Sequence, residues 1–179
     1  MMKIEVSFKA FIFDMDGTLV NSEPVGPATF TELAKKYGVE PSNEEHSIFV
    51  QAWKRIGKYQ DESVVLSDFT KRHNLNIKSE EFLKEFFERY VTNLIKAPAL
   101  TGVEYFLKQA KLKGYKMAIV SASKTRQIET VLKNHNWQNV FDFIVGEEDI
   151  TKHKPDPQGY LIAIERIGIP AGNCIIFED

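Results

Sequence analysis

Four short apolar runs constrain the fold of this chain: Ala10–Asp14, Lys116–Ser121, Phe141–Gly146 and Asn173–Glu178. Each reads as a buried strand. The last three follow amphipathic segments of helical period. Gly102–Lys113 repeats Val103, Phe106, Leu107 and Ala110, and Gly114 is its natural stop. Lys124–Asn134 sets Ile128, Val131 and Leu132 on one face, behind a serine that can cap it. Pro157–Ile167 carries Tyr160, Leu161, Ala163, Ile164 and Ile167, with Pro157 in its first turn and Gly168 at its end. Alternation of this kind predicts a parallel sheet with helices on both faces.

From residue 22 to residue 97 the period is helical throughout. Pro27–Tyr37 shows Phe30, Leu33, Ala34 and Tyr37, ended by Gly38. Ser42–Arg55 opens with Ser42 and Glu45 in capping-box spacing. Glu62–His73 and Glu80–Ile95 follow, the latter with Phe82, Leu83, Phe86, Phe87, Tyr90 and Leu94. This predicts a small all-helical unit inserted after the first strand, with its aromatic residues serving as core.

Composition sets outer bounds. At 179 residues and 43% hydrophobic content, the chain can bury a core in one or two small units. A net charge of −2 gives no reason to expect nucleic acid or a membrane surface as partner. Cys174 is the single cysteine, and its apolar run predicts a buried thiol. The chain start lacks the features of a signal peptide, and no apolar stretch is long enough to span a bilayer, so a cytoplasmic location is expected.

The chemistry gathers at the strand ends. The first strand runs into Asp14-Met15-Asp16-Gly17-Thr18, two carboxylates one residue apart followed by a glycine that turns the chain. Ligands of open parallel sheets bind beyond the carboxyl ends of the strands. Two acids placed there repel each other unless a cation or a reaction uses them. The second strand ends Ser121-Ala122-Ser123-Lys124 at a helix start, where a hydroxyl and adjacent amides make an anion site or a simple cap. Lys154 precedes Pro155 in a stiffened turn and can present a fixed charge to phosphate. The fourth strand ends on Glu178-Asp179. Together these residues form a constellation for a divalent metal and a phosphate.

In this order the motifs resemble the haloacid dehalogenase superfamily, in the helical-cap branch that includes β-phosphoglucomutase-like proteins and small-metabolite phosphatases. Asp14-Met15-Asp16-Gly17-Thr18-Leu19 matches the first motif, Ser121 the second, Lys154-Pro155 the third and Glu178-Asp179 the fourth. The resemblance implies an α/β, Rossmann-like core from residues 1–21 and 98–179 and a helical cap domain from residues 22–97. Relatives continue past the fourth motif, so a core without its usual C-terminal strand and helix is expected.

The resemblance also implies a mechanism. Asp14 is the nucleophile and forms an aspartyl-phosphate; Asp16 is the acid and base; Thr18, Ser121, Ala122 and Lys154 hold the phosphoryl group. Mg²⁺ is the implied cofactor, held by Asp14, Asp16, Glu178 and Asp179. A small phosphorylated metabolite is the implied partner. The cap would select it, with Trp53, Lys54 and Arg55 as candidate contacts and Gly57 as a candidate hinge. Many relatives carry histidine where Gly26 stands, which in the phosphomutases assists proton handling, so its absence favours a plain Mg²⁺-dependent phosphatase. A sugar phosphomutase and a truncated, catalytically impaired member of the fold remain the alternatives, with a receiver domain more distant. Oligomeric state is not legible in the sequence.

Overall fold

The computed structural model describes residues 7–54 and 61–179. The chain divides into two compact units, one comprising Ser22–Leu94 and the other Ile95–Asp179 with the N-terminal segment through Asn21.

In the second of these, β1 (Ala10–Phe13), β2 (Lys116–Val120), β3 (Phe143–Val145) and β4 (Cys174–Phe177) form a parallel sheet in the order β3-β2-β1-β4 among the described residues. Its helices are α5 (Val103–Leu112), α6 (Thr125–Asn134) and α7 (Gln158–Ile167). Alternation along β1 sorts its side chains onto two faces. Phe11 and Phe13 point to one face, where their rings lie 5.2 and 6.0 Å from that of Phe106 on α5. Phe177 of β4 stacks on Phe13 at 5.0 Å. Ile12 points to the other face and packs with Ala118, Val120, Val145 and Ala163 of α7. Helices thus cover both faces, as the alternating pattern requires.

Register places the strand ends together. Phe13 pairs with Ile119 on one side and with Phe177 on the other. The Asp14 amide donates to the Phe177 carbonyl at 2.9 Å, and the Ser121 amide to that of Val145 at 3.0 Å. The next residues of β1, β2 and β4 therefore emerge at one edge of the sheet. Two expectations need correction. Ser123 does not cap α6: the cap residue is Lys124, whose amide donates to Gln127 Oε1 at 3.0 Å, because the Ser123 hydroxyl is drawn to Asp16 instead. Cys174 is half-buried rather than buried, since β4 lies at the sheet edge.

The helical unit holds α1 (Val25–Lys36), α2 (Asn43–Trp53), α3 (Glu62–Arg72) and α4 (Ser79–Leu94). Ser42 and Glu45 form the expected capping box at the start of α2. The core joins Phe30, Leu33, Ala34, Phe49, Leu66, Phe69, Phe82 and Phe86, with Trp53 and Tyr90 packed against it. Each fully buried large side chain contributes about 1.5–3 kcal/mol. On the surface Glu85 accepts from Lys36, Tyr37 and Arg89 at 2.7–2.8 Å, tying α1 to α4. Burial works against the Glu85 charge, but these donors hold its carboxyl down to about 2.

Gly26 is required by space. A methyl group there would meet the Trp53 indole at 2.3 Å. That ring is itself held by Phe49, Phe86 and Tyr90, with centroids 4.7–5.8 Å away, so it cannot swing aside freely. Gly26→Ala is expected to destabilise the protein by about 1–2 kcal/mol, overpacking outweighing the gain in helix propensity. Urea unfolding followed by tryptophan fluorescence checks this, and an unchanged or higher midpoint would contradict it. Among the described residues, no helix is long and apolar enough to cross a membrane.

Candidate active site

Asp14 follows β1 directly and is 5% exposed. A lone carboxylate at that depth is costly, and Lys154 is its partner, with Nζ 2.5 Å from Asp14 Oδ1. Burial pushes the Asp14 carboxyl up to about 7, and the Lys154 ammonium only partly opposes that rise. Burial also works against the charge of Lys154, but the Asp14 carboxylate outweighs it and holds the amine above its ordinary value. Lys154 therefore stays cationic. It donates as well to the Val120 carbonyl at 3.3 Å and to both Glu178 oxygens at 3.1 and 3.2 Å. Tyr160 of α7 donates its hydroxyl to Glu178 Oε2. Burial, then the bond to Glu178, keeps that phenol above its ordinary value, so it remains a donor.

Asp16 turns the other way. Its Oδ2 accepts from the Ser121 hydroxyl at 3.4 Å and the Ser123 hydroxyl at 3.1 Å. The Ser123 amide in turn donates to Ser121 Oγ at 3.0 Å. Asp16 Oδ1 and Thr18 Oγ1 are buried with no hydrogen-bond partner. Gly17 has φ +81° and carries the Asp179 side chain over it, where a methyl group would meet Oδ2 at 2.6 Å. A turn of left-handed sense and a carboxylate in close approach both require glycine there.

The structure thus brings Asp14, Lys154 and Glu178 into direct contact, joins Asp16 to Ser121 and lays Asp179 against Gly17. Ala122 lines a small cleft with Ser121, Lys154 and Tyr160. Thr18 faces a mainly apolar pocket of about 300 Å³ with Phe13, Phe106 and Phe177. In the helical unit Trp53 belongs to the aromatic core, and Lys54 is paired with Glu23 at 2.9 Å. Arg55 and Gly57 lie outside the described residues. Ser123 and Tyr160 are the contacts that sequence reasoning missed. Ser123 resembled a helix cap, and Tyr160 one more apolar position of α7. Its hydroxyl was the available signal, because a half-buried phenol usually finds an acceptor.

Asp14, Glu178 and Asp179 with the Asp16 carbonyl offer hard oxygen donors, the set a Mg²⁺ ion takes, and the unpartnered Asp16 Oδ1 adds another. Among the described residues no three acidic, imidazole or thiol groups already converge as a metal site. Lys154 is the cation that presently balances Asp14 and Glu178. The donor chemistry fits a hard divalent ion.

A family model described as haloacid dehalogenase-like hydrolase matches residues 11–179. The chain belongs to this family. As a member of the haloacid dehalogenase-like hydrolases it is 28% identical over 169 residues to a bifunctional riboflavin kinase/FMN phosphatase of Arabidopsis thaliana. That match covers 94% of this chain and 42% of the plant protein. Identity to a phosphorylated carbohydrates phosphatase of Thermotoga maritima is 26% over 172 residues, covering 96% and 76% of the two chains. The fold is that of a solved Thermotoga maritima protein, a proposed β-phosphoglucomutase, with TM-score 0.83 at 24% identity. The superposition covers 96% of this chain and 76% of that one. The chain therefore spans less than half of the plant relative and about three quarters of the bacterial proteins.

Proposed function

We propose that this chain carries the site of a Mg²⁺-dependent phosphatase that hydrolyses a small phosphorylated metabolite through an aspartyl-phosphate on Asp14. The observation that carries the reading is the buried Asp14 carboxylate held 2.5 Å from the Lys154 ammonium, at the strand end where Asp16 is clamped by two serines. Buried charge is expensive, and this pairing sets the nucleophilic carboxyl beside the cation that a phosphoryl group needs.

In this reading Asp14 attacks phosphorus in line and the ester oxygen leaves, taking a proton from Asp16. Asp16 then takes a proton from the water that releases phosphate. Ser121, the Ala122 amide, Thr18 and Lys154 bind the phosphoryl oxygens and stabilise the charge that builds on them. Asp14, the Asp16 carbonyl, Glu178 and Asp179 would hold Mg²⁺, which when bound neutralises charge on the phosphoryl oxygens. The Ser22–Leu94 unit is assigned as the cap of the family and as the seat of substrate choice. Relatives named for FMN and for phosphorylated carbohydrates support a phosphate ester as substrate. Trp53 fills the space beside Gly26, where many relatives carry histidine, and this weighs against a phosphomutase.

Phosphate release from an aryl phosphate, with Mg²⁺ and with a chelator, tests the proposal. Metal-dependent release with no need for a bisphosphate activator is the expected result. Release only after bisphosphate priming would favour the mutase, and none at all from folded protein would favour an impaired member.

A further inference from the structure

Tyr160 stands six residues past Lys154, and its ring packs against the Ile12, Ala118, Val120, Val145 and Ala163 cluster. The side chain is therefore anchored on a helix that the sheet fixes in place. Its contacts reach toward the strand ends, and its hydroxyl acts on Lys154 as well as on Glu178. Its hydroxyl donates to Glu178 Oε2, and the Lys154 ammonium lies 5.3 Å from the ring centroid. Glu178 needs such a holder: its side chain is 40% exposed just beyond β4. Its hydrogen-bond partners among the described residues are Lys154 and Tyr160. Lys154 already serves Asp14. It is also the group that a phosphoryl ligand would recruit, which leaves Tyr160 as the constant partner.

We propose that Tyr160 is a positioning residue, its hydroxyl fixing the Glu178 carboxylate for a divalent cation and its ring keeping the Lys154 ammonium beside Asp14. The proposal rests on the phosphatase reading and assigns within it a residue that touches neither phosphate nor metal. Carboxylate ligands depend on such outer hydrogen bonds, and losing one typically costs about 10–100-fold in metal affinity. A cation over an exposed aromatic face contributes less, about 2–5-fold in an equilibrium.

The test is calorimetric titration of the full chain with Mg²⁺, and separately with inorganic phosphate, for the wild type, Tyr160→Phe and Tyr160→Leu. Tyr160→Phe is expected to weaken Mg²⁺ binding at least about 10-fold and to leave the unfolding midpoint unchanged. Its kcat for an aryl phosphate is expected to recover at saturating Mg²⁺, which a general structural defect would not allow. Tyr160→Leu is expected to weaken phosphate binding as well, by about 2–5-fold. Wild-type Mg²⁺ affinity in Tyr160→Phe overturns the proposal and leaves the phosphatase reading standing. A wild-type chain that binds no Mg²⁺ overturns the proposal together with the metal-dependent reading.

Discussion

Asp14→Asn is expected to lower kcat/KM for aryl phosphate hydrolysis by about 10⁴-fold or more, because an amide cannot form the acyl phosphate. The substitution keeps size and shape, so the sheet register at Phe13 and Phe177 should persist and circular dichroism should be unchanged. A second consequence follows from burial. A carboxyl raised in the folded state from about 3.8 to about 7 contributes stability below the lower value and loses it as pH rises through the upper one. Metal-free wild type is therefore expected to lose stability relative to Asp14→Asn between pH 4 and pH 7, measured as thermal midpoints across that range. In the wild type Lys154 stays protonated throughout that window, held so by the Asp14 carboxylate against burial. A variant that retains more than about a hundredth of wild-type activity would remove Asp14 from the role of nucleophile.

Asp16→Asn is the second large effect. For an alkyl phosphate, whose leaving oxygen needs a proton, kcat is expected to fall by about 10²–10⁴-fold. An aryl phosphate with an acidic phenol needs no such help in the first step, but water attack on the acyl phosphate still lacks its base. The variant should then release phenol in a stoichiometric burst, followed by slow turnover. Stopped-flow absorbance measures that burst. Equal losses for the two ester types, without a burst, would mean that Asp16 does not transfer protons. The Ser121 and Ser123 hydroxyls, both on Oδ2, explain why position 16 is ordered enough for such a task.

Much of this arrangement was legible in the sequence, and the reasons are physical. Apolar runs of four or five residues that end in Asp14, Ser121 and Glu178 leave little choice but short parallel strands, and parallel register brings their ends to one edge. The helical unit was legible because Phe82, Phe86 and Tyr90 repeat on one face of α4 and Ser42 and Glu45 announce α2. What could not be read is where side chains with two uses would turn. Ser123 could cap a helix or reach Asp16, and only the strand register decides between them. Trp53 looked available to a ligand, and the space left by Gly26 lets its half-buried ring pack against the aromatic core. Thr18 sits in a motif that implies phosphate, while its hydroxyl is buried beside an apolar pocket. Spacing along a chain carries no information about such competitions; packing does.

A covalent phosphoryl group on Asp14 is detected by acid-quenched peptide mass spectrometry during turnover of an aryl phosphate. A phosphorylated peptide containing Asp14 is expected, enriched in Asp16→Asn and absent from Asp14→Asn. Steady phosphate release with Asp14 unmodified in both the wild type and Asp16→Asn would contradict the covalent mechanism.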